Sequence, residues 1–361
     1  MKTELAQLQK TLLVMAGGTG GHIMPALAVS ETLRSEGWRV VWMGNETGME
    51  GRLIPARNFE TAWIRFGALR GKGGLQKLLL PLNLLRGFWQ AANAIRRVKP
   101  NVVLGFGGYV TFPGGMMASL LNKPFVIHEQ NAIAGLANRV LSKVADRVLC
   151  GFPKALGEDS QWVGNPVRAS ICALPSPIVR WSHRQGPLSI LVVGGSLGAA
   201  ALNEVVPKAL SMLPSDLHIQ VLHQAGEKHL ANLQKNYANA TFQVRCVTFI
   251  DDMAAAYADA DVVICRSGAL TVAELAAAGC ASILVPFPHA VDDHQTRNAR
   301  FLSEKGAALL VPQNEMTPEH LAKILSGLSR DTLREMAEKA NSLAKPEATG
   351  EVARICKDIA Q

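Results

Sequence analysis

The amino-acid sequence predicts an α/β protein of two domains, each built on a parallel sheet. Short apolar runs alternate with helical patterns along the first half of the chain, and the same alternation starts again near residue 188. In both places an apolar run ends in a glycine-rich loop that leads directly into a helical pattern. Such alternation gives parallel strands covered by helices, and 361 residues exceed the size of one ordinary core.

The first half supplies most of the strand and helix candidates. Strands are predicted at 12–16, 39–43, 61–65, 101–105, 124–127 and 146–150, and helices at 25–36, 86–98 and 134–143. Residues 164–187 contain four prolines and little periodicity, which indicates a linker.

The second half repeats this organisation from residue 188 onward. Further strands are predicted at 219–222, 244–249, 261–265 and 282–286, and a last helical stretch covers 350–360. We expect a first domain over 1–168, joined by a C-terminal helix at 347–361, and a second domain over 169–346.

The charge distribution indicates an anionic partner. The net charge is +8, yet no carboxylate occurs between Glu60 and Glu129, while nine lysines and arginines do. A surface of one sign suits nucleic acid, an anionic membrane or a phosphorylated substrate.

The hydrophobic neighbours of these cations favour a membrane. Bulky apolar side chains between residues 75 and 90 suit a surface that dips into anionic headgroups. A buried helix with a few solvated cations remains an alternative, whereas nucleic acid is disfavoured because exposed aromatics for base stacking are lacking. No apolar stretch is long enough to span a bilayer, and no signal peptide is predicted. The predicted membrane patch comprises Arg70, Lys72, Leu75, Lys77, Leu79, Leu80, Leu82, Leu85, Arg86, Phe88 and Trp89.

The loop 17-GGTGGH-22 matches neither common nucleotide motif. A dinucleotide fingerprint from Gly18 would need glycine where Ile23 stands, and no G-K-[ST] follows for a P-loop. Backbone N–H groups at a helix N-terminus still favour anionic or polar oxygens. A tight turn without a ligand remains the alternative.

Two loops of the second half suit a diphosphate better. They are 194-GGSLG-198, with the Ser196 hydroxyl, and the helix start after Gly268. Glu274 could accept hydrogen bonds from ribose hydroxyls, or simply favour the helix dipole. The polar residues 292–295 could bind sugar hydroxyls, and a metal is disfavoured there because adjacent residues make a poor ligand set. The Asp259-Ala260-Asp261 triplet is interpreted as a loop.

Taken in order, these motifs resemble those of a known family nearly from end to end. The chain resembles the family 28 glycosyltransferases that add N-acetylglucosamine to lipid I, the undecaprenyl-pyrophosphoryl-muramoyl-pentapeptide of peptidoglycan synthesis. The motifs that carry this resemblance are GGTGGH, LRGKG, GGYV, HEQN, VGNPVR, GGS-x-GA, FIDDM, CRSGALTVAE and PFPHAVDDHQ. The resemblance implies a GT-B fold, in which two Rossmann-like domains with parallel sheets face a deep interdomain cleft. One departure is Leu197, where the family usually has glutamine.

The resemblance also implies a reaction. N-acetylglucosamine would pass from UDP-N-acetylglucosamine to the 4-hydroxyl of the muramoyl unit, with inversion, without a cofactor or required metal, giving lipid II and UDP. The enzyme would work at the cytoplasmic face of the inner membrane, with cell-wall synthesis or division proteins as possible partners. A sugar-nucleotide epimerase, a non-enzymatic scaffold and a transferase acting on another lipid remain alternatives.

The resemblance implies a set of residues that bind the donor and a separate set of candidate bases. On the donor side, Ser196 and the 269–271 turn would contact the diphosphate, Ile250 uracil, Glu274 ribose and Gln295 the sugar. Around them the prediction includes Thr19, Gly20, Gly21, Asn131, Arg168, Ala269, Leu270, Thr271, Val272 and Ala273.

Inversion requires a base on the acceptor hydroxyl. His22 is the first candidate because it follows the glycine loop, and His128 and Glu129 are the other two.

Overall fold

The computed structural model describes residues 9–66, 80–182, 184–195 and 198–361, without the side chains of Leu80 and Val291. Their contacts divide the chain into two compact units. The first unit is Met1–Val167 with Pro346–Gln361, and the second unit is Arg168–Lys345.

The first unit contains a sheet whose paired strands are all parallel. The strand order is β3-β2-β1-β4-β5-β6-β7 in the described residues, with the first strand in the interior, as in Rossmann folds. The strands are β1 (Thr11–Ala16), β2 (Arg39–Gly44), β3 (Glu60–Trp63), β4 (Val102–Gly107), β5 (Phe125–Glu129), β6 (Arg147–Cys150) and β7 (Gln161–Trp162).

Helices cover both faces of this sheet. Alternate residues of β1 therefore enter two cores: Leu12 packs with Leu27 on one face, and Leu13 with Ile95 on the other. Both are fully buried, which explains why the strand is a continuous apolar run. The helices are α1 (Gly20–Ser35), α2 (Met49–Leu53), α3 (Leu80–Val98), α4 (Thr111–Leu120), α5 (Leu136–Leu141) and, at the C-terminus, α15 (Ala348–Ile359). Helix α15 packs on α1 and β4.

The second unit repeats the same topology. Its strands are parallel and follow the order β10-β9-β8-β11-β12-β13 in the described residues. They are β8 (Leu188–Val193), β9 (Ile219–Gln224), β10 (Gln243–Val247), β11 (Val262–Cys265), β12 (Ser282–Leu284) and β13 (Ala308–Leu310).

The helices of the second unit begin in the segment predicted to be a linker. They are α6 (Ala169–Cys172), α7 (Pro177–Trp181), α8 (Ala200–Ser211), α9 (Leu230–Asn236), α10 (Met253–Asp259), α11 (Ala269–Ala278), α12 (His294–Ser303), α13 (Pro318–Ser326) and α14 (Arg330–Ser342). Pro177 is the first residue of α7, where a missing N–H costs nothing.

Two boundary predictions that affect the site were wrong. Helix α1 begins at Gly20 rather than at residue 25, so His22 lies inside the helix and not before it. Strand β5 runs to Glu129, so His128 and Glu129 are its last residues rather than the start of the following loop. No helix of the described residues is long and apolar enough to cross a membrane.

Candidate active site

The glycine-rich loop of the first unit presents His22 at the start of α1. Strand β1 ends at Ala16, and Thr19 is the extended N-cap residue of the helix, with φ −139°. The half-buried imidazole has its Nδ1 3.2 Å from the Gly17 carbonyl oxygen and 3.2 Å from Thr19 Oγ1. A carbonyl oxygen can only accept a hydrogen bond, so Nδ1 carries the proton in this geometry.

The end of β4 lies directly against this loop. The register between β1 and β4 shifts after Met15, which pairs Ala16 with Gly107. Gly107 has φ +106°, and a Cβ there would lie 3.1 Å from His22 Nε2. Gly108 has φ +87°, and a Cβ there would lie 2.4 Å from the carbonyl oxygen of Gly17. The two glycines of the GGYV motif thus allow a close approach that side chains would prevent.

His128 is a buried histidine with both ring nitrogens in hydrogen bonds. Nε2 lies 2.9 Å from the Gly164 carbonyl, to which it must donate, and Nδ1 lies 3.0 Å from the side-chain nitrogen of Gln130. Burial lowers the pKa of His128 to about 4. The neutral ring therefore joins β5 to the VGNPVR motif.

Glu129 organises the loop that follows β5. Its Oε1 accepts from the Asn131 backbone N–H at 2.8 Å and its Oε2 from Asn138 Nδ2 at 2.8 Å. The Gly135 N–H adds a third bond at 3.2 Å, and the side chain is 2% exposed. The carboxylate thus fixes the position of Asn131, a predicted sugar contact.

The second unit places a helix N-terminus beside a buried hydroxyl. Gly268 is the N-cap of α11, so Ala269, Leu270 and Thr271 form its first turn. The first N–H groups of a helix have no partner within the helix. Next to them, Ser267 Oγ is fully buried and has no hydrogen-bond partner among the described residues. These donors suit an anionic group.

Glu274 lies one turn further along α11 and binds two neighbours. Its Oε1 accepts from Arg168 Nη2 at 2.8 Å and its Oε2 from the Tyr257 hydroxyl at 3.1 Å. Burial raises the pKa of Glu274 above its usual value, while Arg168 acts in the opposite direction. The sequence therefore predicted both members of this ion pair, but not their pairing or the role of Tyr257.

Other donor-side residues lie in a loop or on helices of the second unit. Ile250 is buried after β10, and Val272 is fully buried in α11, so any ligand contact of Val272 would come from its backbone. Gln295 Oε1 accepts from the Phe287 N–H at 2.9 Å and so joins α12 to the preceding loop. Ala273 is half-buried on α11. Ser196 lies outside the described residues.

Helix α3 carries an exposed apolar stripe. Leu82, Leu85 and Trp89 are 64%, 65% and 66% exposed and recur at helical spacing. Arg86 is exposed between them, and Phe88 turns inward onto Phe112 with a ring separation of 5.9 Å. The predicted patch residues Arg70, Lys72, Leu75, Lys77 and Leu79, and the Leu80 side chain, lie outside the described part of the chain.

Metal ligands do not gather in the part of the chain that the structure describes, where no group of three His, Cys, Asp or Glu could hold an ion. Asp261 of the D-x-D triplet is 1% exposed and accepts from Arg184 Nε at 2.6 Å and from the Ser189 N–H at 2.8 Å. It therefore anchors the start of β8.

Three side chains that support the site were not singled out in the sequence. Besides Tyr257, Arg266 donates to the carbonyls of Val285 and Pro286 at 3.1 Å and fixes the loop before Gln295. Glu50 lies behind the glycine loop and accepts from the Gly18 N–H at 3.1 Å. Arg266 stands inside the CRSGALTVAE motif, but all three side chains reach residues that are distant in sequence, so no local spacing indicates their partners. A buried acidic or basic residue that interrupts an apolar pattern would have been the available signal.

Comparison with known proteins gives a consistent result for both units. The glycosyltransferase family 28 N-terminal domain model matches residues 12–150, and the C-terminal domain model matches 189–354. The UDP-N-acetylglucosamine–N-acetylmuramyl-(pentapeptide) pyrophosphoryl-undecaprenol N-acetylglucosamine transferase of Cupriavidus metallidurans is 66% identical over 97% of this chain and 98% of its own. That of Dechloromonas aromatica is 62% identical over 98% and 100%.

Solved structures are similar as well. The crystal structure of Acinetobacter baumannii MurG has a TM-score of 0.88 and 43% identity, covering 97% of this chain and 99% of that one. A glycosyltransferase of kitacinnamycin has a TM-score of 0.68 at 14% identity, over 98% and 100%, which is a likeness of fold alone.

Proposed function

The chain belongs to glycosyltransferase family 28, and we propose that it transfers N-acetylglucosamine from UDP-N-acetylglucosamine to lipid I, giving lipid II and UDP. Relatives that match nearly the whole chain at 62–66% identity carry this activity in their names. The structural observation that carries the proposal is the donor-side arrangement of α11, where helix N–H groups, a buried hydroxyl and the Arg168–Glu274 pair surround one turn.

The diphosphate binds at the N-terminus of α11. The N–H groups of its first turn and Ser267 Oγ are donors for phosphate oxygens, and the helix dipole favours the negative charge that grows on UDP as it leaves. Glu274 is an acceptor for the ribose hydroxyls, with Arg168 close to the same ring. Ile250 contacts uracil through its backbone, and Gln295 contacts the sugar hydroxyls.

His22 is the base in this proposal. The 4-hydroxyl oxygen of the muramoyl unit attacks the anomeric carbon, its proton passes to His22 Nε2, and the bond from the anomeric carbon to the UDP oxygen breaks. Attack opposite the leaving group inverts the configuration. Thr19, Gly20, Gly21 and Asn131 of the first unit contact the donor sugar.

The stripe on α3 binds the membrane that carries the acceptor. Leu82, Leu85 and Trp89 enter the headgroup region, and Arg86 pairs with anionic phosphates. A cleft beside Trp89, with a volume of about 440 Å³, is lined by two further cations, Arg65 and Arg97. The enzyme therefore acts at the cytoplasmic membrane face, where wall-synthesis or division proteins are available as partners.

The test is transfer of labelled N-acetylglucosamine from UDP-N-acetylglucosamine to a lipid I analogue. We expect the label in the lipid product and an equal amount of UDP. Release of free sugar or an epimerised nucleotide, with no lipid-linked label, would contradict the proposal. An analogue lacking the muramoyl 4-hydroxyl is the matched control and must stay unlabelled.

A further inference from the structure

A buried carboxylate lies directly behind the glycine loop of the first unit. Glu50, on α2, is 1% exposed. Its Oε2 accepts from the Gly18 N–H at 3.1 Å and its Oε1 from the Asn45 N–H at 3.1 Å. Charged side chains are rarely this buried unless hydrogen bonds satisfy them. The carboxyl group therefore links the loop after β1 to the loop after β2.

Three glycines make the space for this carboxyl group. A Cβ at Gly17 would overlap it, one at Gly48 would come within 2.5 Å of Oε2, and one at Gly44 would lie 2.8 Å from Glu50 Cγ. Such distances are too short for real contacts. The 17-GG-18 pair therefore does more than turn the chain, since its first glycine also admits the carboxylate.

The peptide group that binds Glu50 is the one that binds His22. The N–H of the Gly17–Gly18 peptide donates to Glu50, and its carbonyl, that of Gly17, accepts from His22 Nδ1 at 3.2 Å. Negative charge at the N–H end polarises a peptide and makes its carbonyl a stronger acceptor. A stronger acceptor at Nδ1 favours the imidazolium that forms when Nε2 takes a proton.

We propose that Glu50 is a positioning residue that acts on His22 through the Gly17–Gly18 peptide. It holds the carbonyl that fixes the Nδ1–H tautomer, and its charge stabilises the protonated ring. The proton moves from the acceptor hydroxyl to Nε2, the Nδ1 proton stays in place, and Glu50 takes none. The inference rests on the proposed role of His22 as the base.

The primary test is Glu50→Gln, which keeps the size and removes the charge. We expect kcat to fall about tenfold to a hundredfold, with the affinity for UDP unchanged because UDP binds the second unit. The acidic limb of the kcat–pH profile should move to lower pH by about half a unit to one unit. Glu31→Gln is the matched control, because Glu31 lies on the same helix as His22 and is half-exposed beside Arg57. It should leave both readouts unchanged.

Two more variants separate this effect from support of the loop alone. Glu50→Asp keeps the charge, so its acidic limb should return toward the wild-type position even if kcat stays reduced. Equal kcat losses in Glu50→Gln and Glu50→Asp with unmoved limbs would mean that Glu50 only supports the loop, and would overturn the proposal. Adding Glu50→Gln to His22→Ala should lower kcat no further, because Glu50 acts through that ring.

The outcome for His22 is read separately. If His22→Ala keeps kcat within a few-fold of wild type, the assignment of the base fails, whatever Glu50→Gln does. If His22→Ala loses activity while Glu50→Gln changes neither kcat nor the acidic limb, only the coupling through the peptide is wrong.

Discussion

Among the three candidate bases, the hydrogen bonds of each residue favour His22. His128 has both ring nitrogens bound within the buried protein, and Glu129 accepts from the backbone and side chains of its own loop. In His22 the contacts to Gly17 and Thr19 involve Nδ1, so the lone pair of the neutral ring lies on Nε2. We therefore propose Nε2 of His22 as the atom that takes the proton of the acceptor hydroxyl.

Replacing His22 by alanine should therefore stop transfer without affecting donor binding. We expect kcat to fall about a hundredfold or more, and the Kd for UDP-N-acetylglucosamine to stay within a few-fold. Steady-state kinetics with a lipid I analogue and calorimetry measure the two quantities. His218→Ala, at an exposed position of the second unit, is the control. A near-normal kcat in His22→Ala would exclude this residue as the base.

Glu274 allows a complementary test on the donor side. Glu274→Gln removes the charge that binds Arg168 and weakens the side chain as an acceptor for the ribose hydroxyls. The Kd for UDP-N-acetylglucosamine should therefore rise about tenfold. Tyr257→Phe removes only the hydroxyl on the other carboxylate oxygen, and a smaller rise is expected. Calorimetric titration with UDP-N-acetylglucosamine measures both. An unchanged Kd in Glu274→Gln would remove this carboxylate from the donor site.

At the residue scale the sequence predicted side chains that belong to local motifs. His22, Glu129 and Glu274 each stand in or beside a recognisable strand–turn–helix phrase. Glu50 and Tyr257 do not, because their partners Gly18 and Glu274 are 32 and 17 residues away. Only the fold brings such pairs together, and no period or spacing encodes them.

At the element scale the strands were predicted best where they are long and central. Strand β1 was placed to within one residue, since burial on both faces makes it a continuous apolar run. Strands β7 and β13 have two and three residues and were missed, because so short a run shows no clear period. Strand β12 is also three residues long, but it was predicted within a longer run at 282–286. The start of α1 was placed too late because glycine is a poor helix former in the interior, yet the first turn of a helix tolerates it.

Helix α3 yields a prediction about an element rather than a single side chain. Changing Leu82 and Leu85 together to glutamate replaces two exposed apolar groups by charges that anionic lipid repels. We expect binding to anionic vesicles to weaken about tenfold or more, with the melting temperature nearly unchanged because both side chains are already in water. Vesicle co-sedimentation measures the binding.

The control for this helix lies in the second unit. Ile178 and Val179 of α7 are 67% and 61% exposed, and their double change to glutamate alters the same number of apolar groups and charges. It should leave vesicle binding as in the wild type. Equal losses in both double variants would indicate a general charge effect, and undiminished binding in the α3 variant would count against the stripe.

At the scale of the whole molecule, the repeated phrase of strand, glycine loop and helix predicted two Rossmann-like units correctly. The two sheets share the order in which the first strand lies inside and later strands extend on both sides. The C-terminal helix α15 packs on α1 of the first unit. No pattern in the sequence encodes that contact, because the amphipathic face of α15 would suit any apolar surface.

A buried neutral histidine in each unit makes stability depend on pH. Burial lowers the pKa to about 4 for His128 in the first unit and to about 3 for His223 in the second. In an unfolded chain both histidines take up a proton near pH 6.5, so the unfolded state binds protons that the native state does not bind. The free energy of unfolding should therefore fall below about pH 6.5, by about 1.4 kcal/mol per pH unit for each histidine.

Urea unfolding between about pH 7 and pH 5 tests this, in a window above the titration of most carboxylates. His223→Gln should reduce the dependence of the free energy of unfolding of the second unit on pH by the equivalent of about one proton. His128→Gln should do the same for the first unit. Both expectations hold whatever each change does to stability at neutral pH. His320→Gln, at an exposed site on α13, should leave the slope as it is. The slope is the decisive quantity, because a cavity or a lost hydrogen bond shifts stability equally at every pH. Slopes that match the wild type in both buried-site variants would show that these histidines bind protons equally in the native and unfolded states.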